Sequence, residues 1–238
     1  MKIHVLGSSS NGNCYVIEND GHYLALDAGM KWKDVQIACG FRVSAIDACL
    51  ITHEHGDHAQ YYRHFNKNGI PVYAEDRTAK NLKIITGEYV RSLSSNKITR
   101  IIGHYKVIPI PVPHEDTPNS GYIIEFDNGE RLLYVTDFEY IPVTVKTWKI
   151  NHFLIAVNHS EDIDLNDEAR EHRLRGHSSL EVVKNFLEKS ISDKCKNVIA
   201  CHLSDKYADE KKILSELKEV CGDNVNVNIA HRGESIDL

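Results

Sequence analysis

The sequence predicts an α/β protein of layered (α+β) architecture, in which sheets are covered by helices. Strand-like runs joined by tight-turn sequences dominate the first part of the chain, as at Asn19-Asp20-Gly21. Later strand-like runs have amphipathic helical segments between them. Hairpins followed by alternating strands and helices are typical of sheets with helices packed against them.

Short apolar runs with the length and composition of strands recur along the whole chain. They are Ile3–Leu6, Cys14–Ile17, Tyr23–Leu26, Cys49–Thr52, Val72–Ala74, Val107–Val112, Tyr122–Phe126, Arg131–Thr136, Phe153–Val157, Val198–Cys201 and Val225–Ile229. The first run leads into Gly7 and a serine cluster, so we interpret it as a strand and not as a signal peptide. Asp127-Asn128-Gly129 predicts a second tight hairpin.

Two helices are predicted in the C-terminal part. Ser178-Ser179-Leu180-Glu181 has the pattern of a capping box and is followed by apolar residues at helical spacing. The segment from Asp209 to Val220 carries apolar residues on one helical face, and Gly222 is placed to end that helix.

Bulk composition indicates one globular domain over residues 1–238. A chain of 238 residues with 42% hydrophobic and 26% charged residues can bury a substantial core. No repeat, low-complexity tract or linker marks a boundary, and no apolar stretch reaches the length of a membrane span. The six cysteines form no C-x-x-C pair, so we expect reduced thiols in a cytoplasmic protein.

The segment Thr52-His53-Glu54-His55-Gly56-Asp57-His58 predicts a divalent-metal site. It places three imidazoles and a carboxylate directly after an apolar run, and these are zinc-type ligands. Consecutive side chains of an irregular turn diverge, so His53 and His55 could reach one ion while Asp57 and His58 reach another. The alternatives are a histidine-rich surface loop and an N-terminal helix cap.

Polar residues with ligand or acid–base chemistry follow five of the strand-like runs. Because a sheet delivers such groups from its loop edge, their recurrence indicates one active site. A single histidine after a strand would be unremarkable, and the convergence carries the argument. The residues are His53, His114, Asp137, Asn158-His159 and His202.

The formal net charge of −6 does not favour an overall nucleic-acid binder, but basic residues are clustered. One cluster lies between Arg77 and Lys106, and solvated helix faces would explain it equally well. The second lies beside candidate catalytic residues, which favours a phosphate-facing role. Its members are Arg170, His172, Arg173, Arg175 and His177.

The HEHGDH segment, Asp27 and the later strand-end residues resemble the metallo-β-lactamase superfamily over nearly the whole chain. Within the chain, the Gly176–Ser179 and His202–Tyr207 segments resemble tRNase Z enzymes. Seven segments are similar to the WalJ/YycJ-type branch of the superfamily, which is associated with DNA exonuclease activity. They are Gly7–Asn13, Thr52–His55, Pro113–Glu115 with Gly121-Tyr122, Thr136-Asp137, Asn158-His159, Arg175–Ser178 and His202–Ser204. The resemblance implies an αββα metallo-β-lactamase sandwich with metals at one edge.

The resemblance also implies a ligand set for two divalent ions, of zinc or manganese type. One ion would be bound by His53, His55 and His114, and the other by Asp57, His58 and His202, with Asp137 bridging. Two ions about 3.5–4 Å apart can hold a bridging hydroxide that attacks phosphorus. No cysteine occupies the ligand position that lactam-hydrolysing members often use, which argues against β-lactam hydrolysis.

Further residues receive roles from the resemblance. His177 would be the general acid that protonates the leaving oxygen, and Asp57 joins it as a catalytic candidate. Asp27 would hydrogen-bond a ligand histidine. Each of three residues also has a structural alternative. Asp27 could be an ordinary turn aspartate, His177 a residue flanking a helix cap, and His159 a loop residue. The residues expected around the ligands or the substrate are Asp27, His159, Arg175 and Ser178.

Together these expectations predict a metal-dependent hydrolase that cleaves phosphodiester bonds. A DNA exonuclease is the favoured activity. Asp205-Lys206-Tyr207 departs from the Glu-Asn-Asn-like sequence usual in the WalJ/YycJ-type branch. A cyclic-nucleotide or other small-molecule phosphodiesterase suits the acidic charge, and a non-catalytic metal-stabilised binding protein is the third alternative. No membrane partner is expected, and the sequence leaves the oligomeric state open, a homodimer included.

Overall fold

The computed structural model describes residues 1–86, 89–101, 104–160 and 176–238. The chain divides into two compact units, the first formed by Met1–Pro109 with Ala230–Leu238 and the second by Ile110–Ile229. The single domain expected over residues 1–238 stays a prediction. None of the helices in the described ranges combines the length and apolar character needed to cross a bilayer.

The described residues form strands, helices and two short 3-10 turns at Val43–Ala45 and Lys146–Trp148. The strands are β1 (Lys2–Ser9), β2 (Gly12–Asn19), β3 (His22–Leu26), β4 (Ile46–Ile51), β5 (Val72–Glu75), β6 (Arg91–Leu93), β7 (Thr99–Ile101), β8 (Tyr105–Val112), β9 (Asn119–Phe126), β10 (Arg131–Val135), β11 (His152–Ala156), β12 (Asn197–Cys201), β13 (Asn226–Ile229) and β14 (Ser235–Asp237). The helices are α1 (Trp32–Ala38), α2 (Gly56–Ala59), α3 (Tyr62–Lys67), α4 (Asp76–Thr86), α5 (Leu180–Ser190) and α6 (Glu210–Cys221).

The first unit contains a seven-stranded sheet in the order β14-β1-β2-β3-β4-β5-β6. Strands β14, β1, β2 and β3 pair antiparallel, whereas β3 to β6 pair parallel. The carboxyl ends of parallel strands meet at one edge, so the residues that follow β3 and β4 are brought to the same place. Asp27 directly follows β3, and Thr52-His53 directly follow β4.

Helices α1, α3 and α4 bury their apolar residues against this sheet. Val35 of α1, Phe65 of α3 and Leu82 of α4 join one core cluster with Val16 and Cys49 of the sheet. These side chains are at most 2% exposed, so their burial supplies the main driving force for the folding of the first unit. The cluster therefore fixes the strand ends from which the candidate site residues project.

A second seven-stranded sheet has the order β13-β12-β11-β10-β9-β8-β7. Strands β10 to β13 pair parallel, and β9 pairs antiparallel with β10. Helix α6 contacts α5 and β13, and Phe186 of α5 meets Phe153 of β11 edge to face, with ring centroids 6.5 Å apart. The parallel strands again bring three polar segments to one edge, after β10, β11 and β12.

Every predicted strand is present with small shifts at its ends, and β6, β7 and β14 were not predicted. Gly222 ends α6 with φ of 78°, as expected. The capping-box prediction was wrong in detail, because the N-cap of α5 is Ser179, whose hydroxyl accepts from Val182 N. Ser178 instead donates its hydroxyl to Ala156 O at 2.6 Å and its backbone N–H to Asn158 Oδ1 at 2.8 Å, so the N–H that the box would pair with the Glu181 carboxylate is already taken.

All six cysteines are free thiols, as predicted. Burial raises the pKa of Cys195 to about 12 and that of Cys221 to about 11. Burial is the largest cause of a raised pKa at Cys14, and the charge of Asp27 adds to it. Burial also raises the pKa of Cys49. These thiols stay protonated near neutral pH.

Candidate metal centre

The first unit gathers the histidines of the Thr52–His58 turn. His53 and His58 are fully buried, and their ring centroids lie 4.2 Å apart. The rings of His53 and His55 are 4.7 Å apart and nearly perpendicular. His55 is the N-cap of α2, but its side chain makes no capping hydrogen bond, so the helix-cap alternative does not account for the imidazole.

Asp27 is a fully buried carboxylate that organises this turn. Its Oδ2 lies 2.7 Å from Nδ1 of His58, and its Oδ1 accepts from Thr52 N at 2.8 Å. The Thr52 hydroxyl lies 3.0 Å from both carboxylate oxygens. Because a carboxylate accepts from these groups, Nδ1 of His58 carries the proton and Nε2 keeps its lone pair.

The same carboxylate sets the tautomer of His53 through Thr52. The hydroxyl of Thr52 has one proton, which it donates to Asp27, and its oxygen lies 3.1 Å from Nδ1 of His53. The oxygen therefore accepts from His53 Nδ1–H, and Nε2 of His53 is left unprotonated. The turn-aspartate alternative is insufficient for Asp27, because Asp27 fixes the protonation of two histidines.

Asn13 is a site residue that the sequence analysis did not single out. Its amide nitrogen lies 3.3 Å from Oδ2 of Asp57 and 3.1 Å from Nε2 of His58. It is buried at the start of β2, as the last residue of the Gly7–Asn13 segment that carried part of the resemblance. That segment was the available sequence signal, but it did not distinguish Asn13 from its neighbours.

Gly29 allows the chain to approach the turn closely. A Cβ at this position would lie 1.7 Å from the carbonyl oxygen of Asp57 and 2.7 Å from the Asn13 nitrogen. The backbone of Ala28, immediately before it, donates to His58 O at 2.6 Å. Only glycine fits between these backbones, so Gly29 helps to hold the His53–His58 segment against β2 and β3.

The second unit brings Asp137, Asn158 and His202 together at the carboxyl edge of its parallel strands. Nε2 of His202 lies 3.3 Å from Oδ2 of Asp137. Asn158 donates its amide to His202 O at 3.0 Å and lies 3.3 Å from Oδ1 of Asp137. Sequence analysis named Asn158 together with His159 after β11 but gave a role only to His159, because an amide has no titratable chemistry.

Three predicted site residues have left-handed backbones at the points where strands end. The φ angles are 58° at Asp27, 47° at Asp137 and 52° at His202. Left-handed conformation is uncommon outside glycine and is concentrated at functional sites. Here it turns the chain sharply after β3, β10 and β12, so the polar side chain is presented at the sheet edge.

His114 and His177 lie in the second unit, near the start of α5. Nδ1 of His114 lies 2.8 Å from Gly176 O, and since a carbonyl only accepts, His114 carries its proton on Nδ1 and keeps Nε2 unprotonated. The ring of half-buried His177 is 6.2 Å from that of His114 and 6.4 Å from that of His202. His177 is therefore beside two predicted ligands.

The remaining predicted site residues of the second unit have different outcomes. Ser178 holds Asn158, since its backbone N–H and its hydroxyl approach Asn158 Oδ1 at 2.8 and 2.9 Å. His159 is 7% exposed, and its backbone pairs with the segment around Ser179. A role for the His159 side chain stays a prediction. Arg175 lies outside the described residues, as does the rest of the second basic cluster except His177.

The first basic cluster is only partly engaged in the fold. Arg77 pairs with Glu75 at 3.4 Å, and Arg91 donates to the Tyr73 hydroxyl at 2.9 Å while covering its ring. Lys80, Lys83 and Lys97 are exposed. These three lysines present positive charge at the surface, while the two arginines have structural partners.

Comparison with known families decides the affiliation. The model of a beta-lactamase superfamily domain matches residues 26–160, which is more than half of the chain. The chain belongs to the beta-lactamase superfamily. The matched segment includes Asp27, the Thr52–His58 turn, His114 and Asp137, and it ends before His177 and His202.

Relatives and solved structures agree with this affiliation. Exodeoxyribonuclease YycJ of Bacillus anthracis is 25% identical over 217 residues, which cover 84% of this chain and 81% of that protein. The metallo-beta-lactamase fold protein YhfI of Bacillus subtilis matches with a TM-score of 0.75 and 16% identity over 99% of this chain and 98% of its own. A diphosphatase of the PhnP family matches with a TM-score of 0.71 and 19% identity, covering 99% and 96%.

These matches confirm the predicted metallo-β-lactamase fold and the suspected family. The prediction of a metal-dependent hydrolase is also confirmed, as a class of enzyme and not as a particular substrate. The histidine and aspartate donors in each unit suit a divalent metal ion. The assignment of each residue to a particular ion stays a prediction.

Proposed function

We propose that this chain is a dinuclear metal-dependent phosphodiesterase that acts on DNA as an exonuclease. Imidazole and carboxylate donors would bind the ions, with Asp137 shared between them. The proposed ligands are His53, His55 and His114 for one ion, and Asp57, His58 and His202 for the other.

The hydrogen-bond partners of the histidine Nδ1 atoms are the observation that carries this proposal. His53, His58 and His114 each have Nδ1–H committed to an acceptor, so each keeps the lone pair on Nε2 that a metal requires. Histidines buried for structural reasons alone would not all need their proton on Nδ1. Three histidines with the same tautomer, held by a hydroxyl, a carboxylate and a carbonyl, fit a metal centre better than a set of structural side chains.

Distances between neighbouring donors support the same conclusion within each unit. His58 Nε2 and Asp57 Oδ2 are 3.2 Å apart, and His202 Nε2 and Asp137 Oδ2 are 3.3 Å apart. Two ligands about 2.0–2.1 Å from a tetrahedral ion are separated by roughly 3.3 Å. Each unit therefore supplies a nitrogen–oxygen pair with the spacing of two ligands of one ion.

Divalent ions bound by these donors would lower the pKa of water and offset the charge on a phosphoryl group. The protein's own contribution would be to orient the substrate and to supply a proton. His177 is half-buried beside His114 and His202, and it directly precedes the Ser178-Ser179 segment that begins α5. The positive end of the α5 helix dipole favours an anionic phosphate next to the imidazole.

We favour DNA as the substrate because the relative from Bacillus anthracis is an exodeoxyribonuclease, matched over more than four-fifths of both chains. The exposed lysines Lys80, Lys83 and Lys97 offer positive charge for a phosphate backbone. A small-molecule phosphodiesterase is the second candidate, and the net charge of −6 favours it because a mononucleotide needs no extended basic surface. We place either activity in the cytoplasm, in keeping with six free cysteines.

A substrate panel tests the proposal directly. Single-stranded DNA, duplex DNA, RNA, cyclic nucleotides and bis-p-nitrophenyl phosphate would be incubated with protein loaded with zinc or manganese. We expect DNA to be degraded from an end, and substrate binding to weaken steeply with salt through counterion release. Turnover of cyclic nucleotides alone, with little salt dependence, would select the small-molecule activity. Failure to hydrolyse even bis-p-nitrophenyl phosphate would end the phosphodiesterase proposal.

A further inference from the structure

A second group of metal-ligating side chains lies in the first unit and shares no residue with the candidate metal centre. His22 begins β3, Asp47 is the second residue of β4, and His104 directly precedes β8. One ligand atom from each of the three lies within 4.8 Å of the other two. Sequence analysis gave His22 and His104 no role, because their proximity depends on strand pairing.

Asp47 is directed into this group by a β-bulge. The parallel pairing of β3 and β4 joins Tyr23 to Ile46 and then Leu24 to Ala48, so Asp47 is the extra residue between two registered pairs. Bulges are rare in parallel pairs, and they commonly re-aim a side chain next to a functional site. Aspartate is also disfavoured inside strands, and here it is only 9% exposed. A buried carboxylate at such a position needs compensating positive charge.

The geometry around Asp47 has the dimensions of a metal site. Nδ1 of His22 lies 3.2 Å from Oδ1 and also 3.2 Å from Oδ2 of Asp47. Ligands of a tetrahedral zinc ion are roughly 3.3 Å apart for bonds of about 2.0–2.1 Å. The His104 ring lies over that of His22, with centroids 4.1 Å apart and planes 33° apart. Both imidazoles are half-buried, so an ion and a water ligand can reach them from solvent.

We propose that His22, Asp47 and His104 bind one divalent cation of zinc type, with water completing the coordination. Two imidazoles and one carboxylate are a donor set that zinc accepts. The ion would neutralise the buried Asp47 carboxylate and would link the start of β3 and the β4 bulge to the turn before β8. This site is independent of the proposed phosphodiesterase activity, since none of its ligands is assigned a role there.

The competing explanation is a metal-free contact, in which His22 and Asp47 form an ion pair and His104 stacks on His22. His104→Phe separates the two explanations. It keeps a flat ring against His22 but has no nitrogen to donate to a metal. His22→Ala removes a second ligand independently, so the test does not rest on one variant. His231→Ala is the matched control, because His231 is an exposed histidine of the same unit outside both groups.

Equilibrium dialysis against zinc at pH 7.5, followed by elemental analysis, measures the ions bound per chain. We expect His104→Phe and His22→Ala each to bind one equivalent fewer than the wild type, and His231→Ala to bind the wild-type number. In a chelator competition, Asp47→Asn should lower the affinity for the zinc ion at this site at least tenfold. Circular dichroism verifies that each variant is folded. Equal zinc stoichiometry in the wild type, His104→Phe and His22→Ala would overturn the proposal, whatever their activity on phosphodiesters.

Discussion

Oδ2 of Asp27 lies 2.7 Å from Nδ1 of His58, and both side chains are fully buried. The pair joins a residue that follows β3 to one that lies in α2. Because Thr52 links the same carboxylate to His53, one aspartate controls the tautomers of two predicted ligands. Removing its charge should therefore act on metal binding more strongly than on the fold of the sheet.

Asp27→Asn should lower the affinity for zinc about 10- to 100-fold, the range seen when a partner of a ligand histidine is removed. The amide would present N–H groups to a histidine and a threonine that need an acceptor. Chelator competition measures the affinity. Asp20→Asn is the control, because Asp20 is exposed in the β2–β3 turn, where asparagine tolerates its φ of 49°. Wild-type affinity in Asp27→Asn would show that Asp27 does not set the tautomers.

Gly29→Ala should destabilise the protein by about 3 kcal/mol or more, because the added methyl would collide with the backbone of Asp57 at 1.7 Å. Flexible side chains cannot relieve a contact between two backbones. Urea unfolding measures the loss. Gly56→Ala serves as the control, because Gly56 precedes Asp57 in the segment that Gly29 contacts and a Cβ there meets nothing within 4 Å; we expect a change below about 1 kcal/mol. Similar losses in both variants would contradict the close-approach argument.

Much of the candidate site could be predicted from the sequence because strand ends are visible in it. Apolar runs of four to six residues end where the chain leaves the sheet, and His53, Asp137 and His202 follow such runs. Parallel neighbours then bring their carboxyl ends together. This argument needs only the strand positions and the direction of pairing, and both follow from apolar patterning and connection length.

The rest depended on information that patterning does not contain. Asn13 and Asn158 act through amide hydrogen bonds, and asparagine is so common in turns that its position alone indicates nothing. The Asp47 bulge depends on the register between β3 and β4, which a single-sequence pattern does not specify. The N-cap of α5 was misassigned because Ser178 and Ser179 are equally good caps until the contacts of Ser178 are known.

Asn158→Ala should reduce metal affinity about 10- to 100-fold, because its amide holds both the His202 backbone and the Asp137 carboxylate. Ser178→Ala should change the affinity by less than about threefold. In that variant the backbone N–H of Ser178 still donates to Asn158 Oδ1 at 2.8 Å, so the amide keeps its orientation. Zinc content after dialysis at a fixed free concentration compares the two. A larger loss in Ser178→Ala would reverse the proposed order.

His152 should make stability depend on pH. Burial lowers its pKa below the ordinary value of 6.5, against the opposing effect of Glu130. Asn197 donates to Nδ1 at 2.9 Å, and Nε2 lies 3.1 Å from Glu130, which matches a neutral ring with its proton on Nε2. The unfolded chain therefore binds the proton more readily, and stability is lost as pH falls from about 6.5 through the lower pKa of the folded state.

Thermal unfolding of metal-free protein between pH 7.5 and pH 5 measures this dependence. His152→Gln should unfold at a lower temperature at pH 7.5 but lose less stability on acidification than the wild type, because glutamine does not titrate. His231→Gln, at an exposed position, should retain the wild-type slope. An unchanged slope in His152→Gln would assign the acid sensitivity to other groups.

His177→Ala should lower kcat for DNA about 10²- to 10⁴-fold while the metal content stays at the wild-type level. A general acid matters most when the leaving oxygen is a poor leaving group, as in an alkoxide. With bis-p-nitrophenyl phosphate the leaving p-nitrophenolate needs little protonation, so the same variant should lose much less activity. A variant short of metal would identify His177 as a ligand, and equal losses on both substrates would remove it from proton transfer.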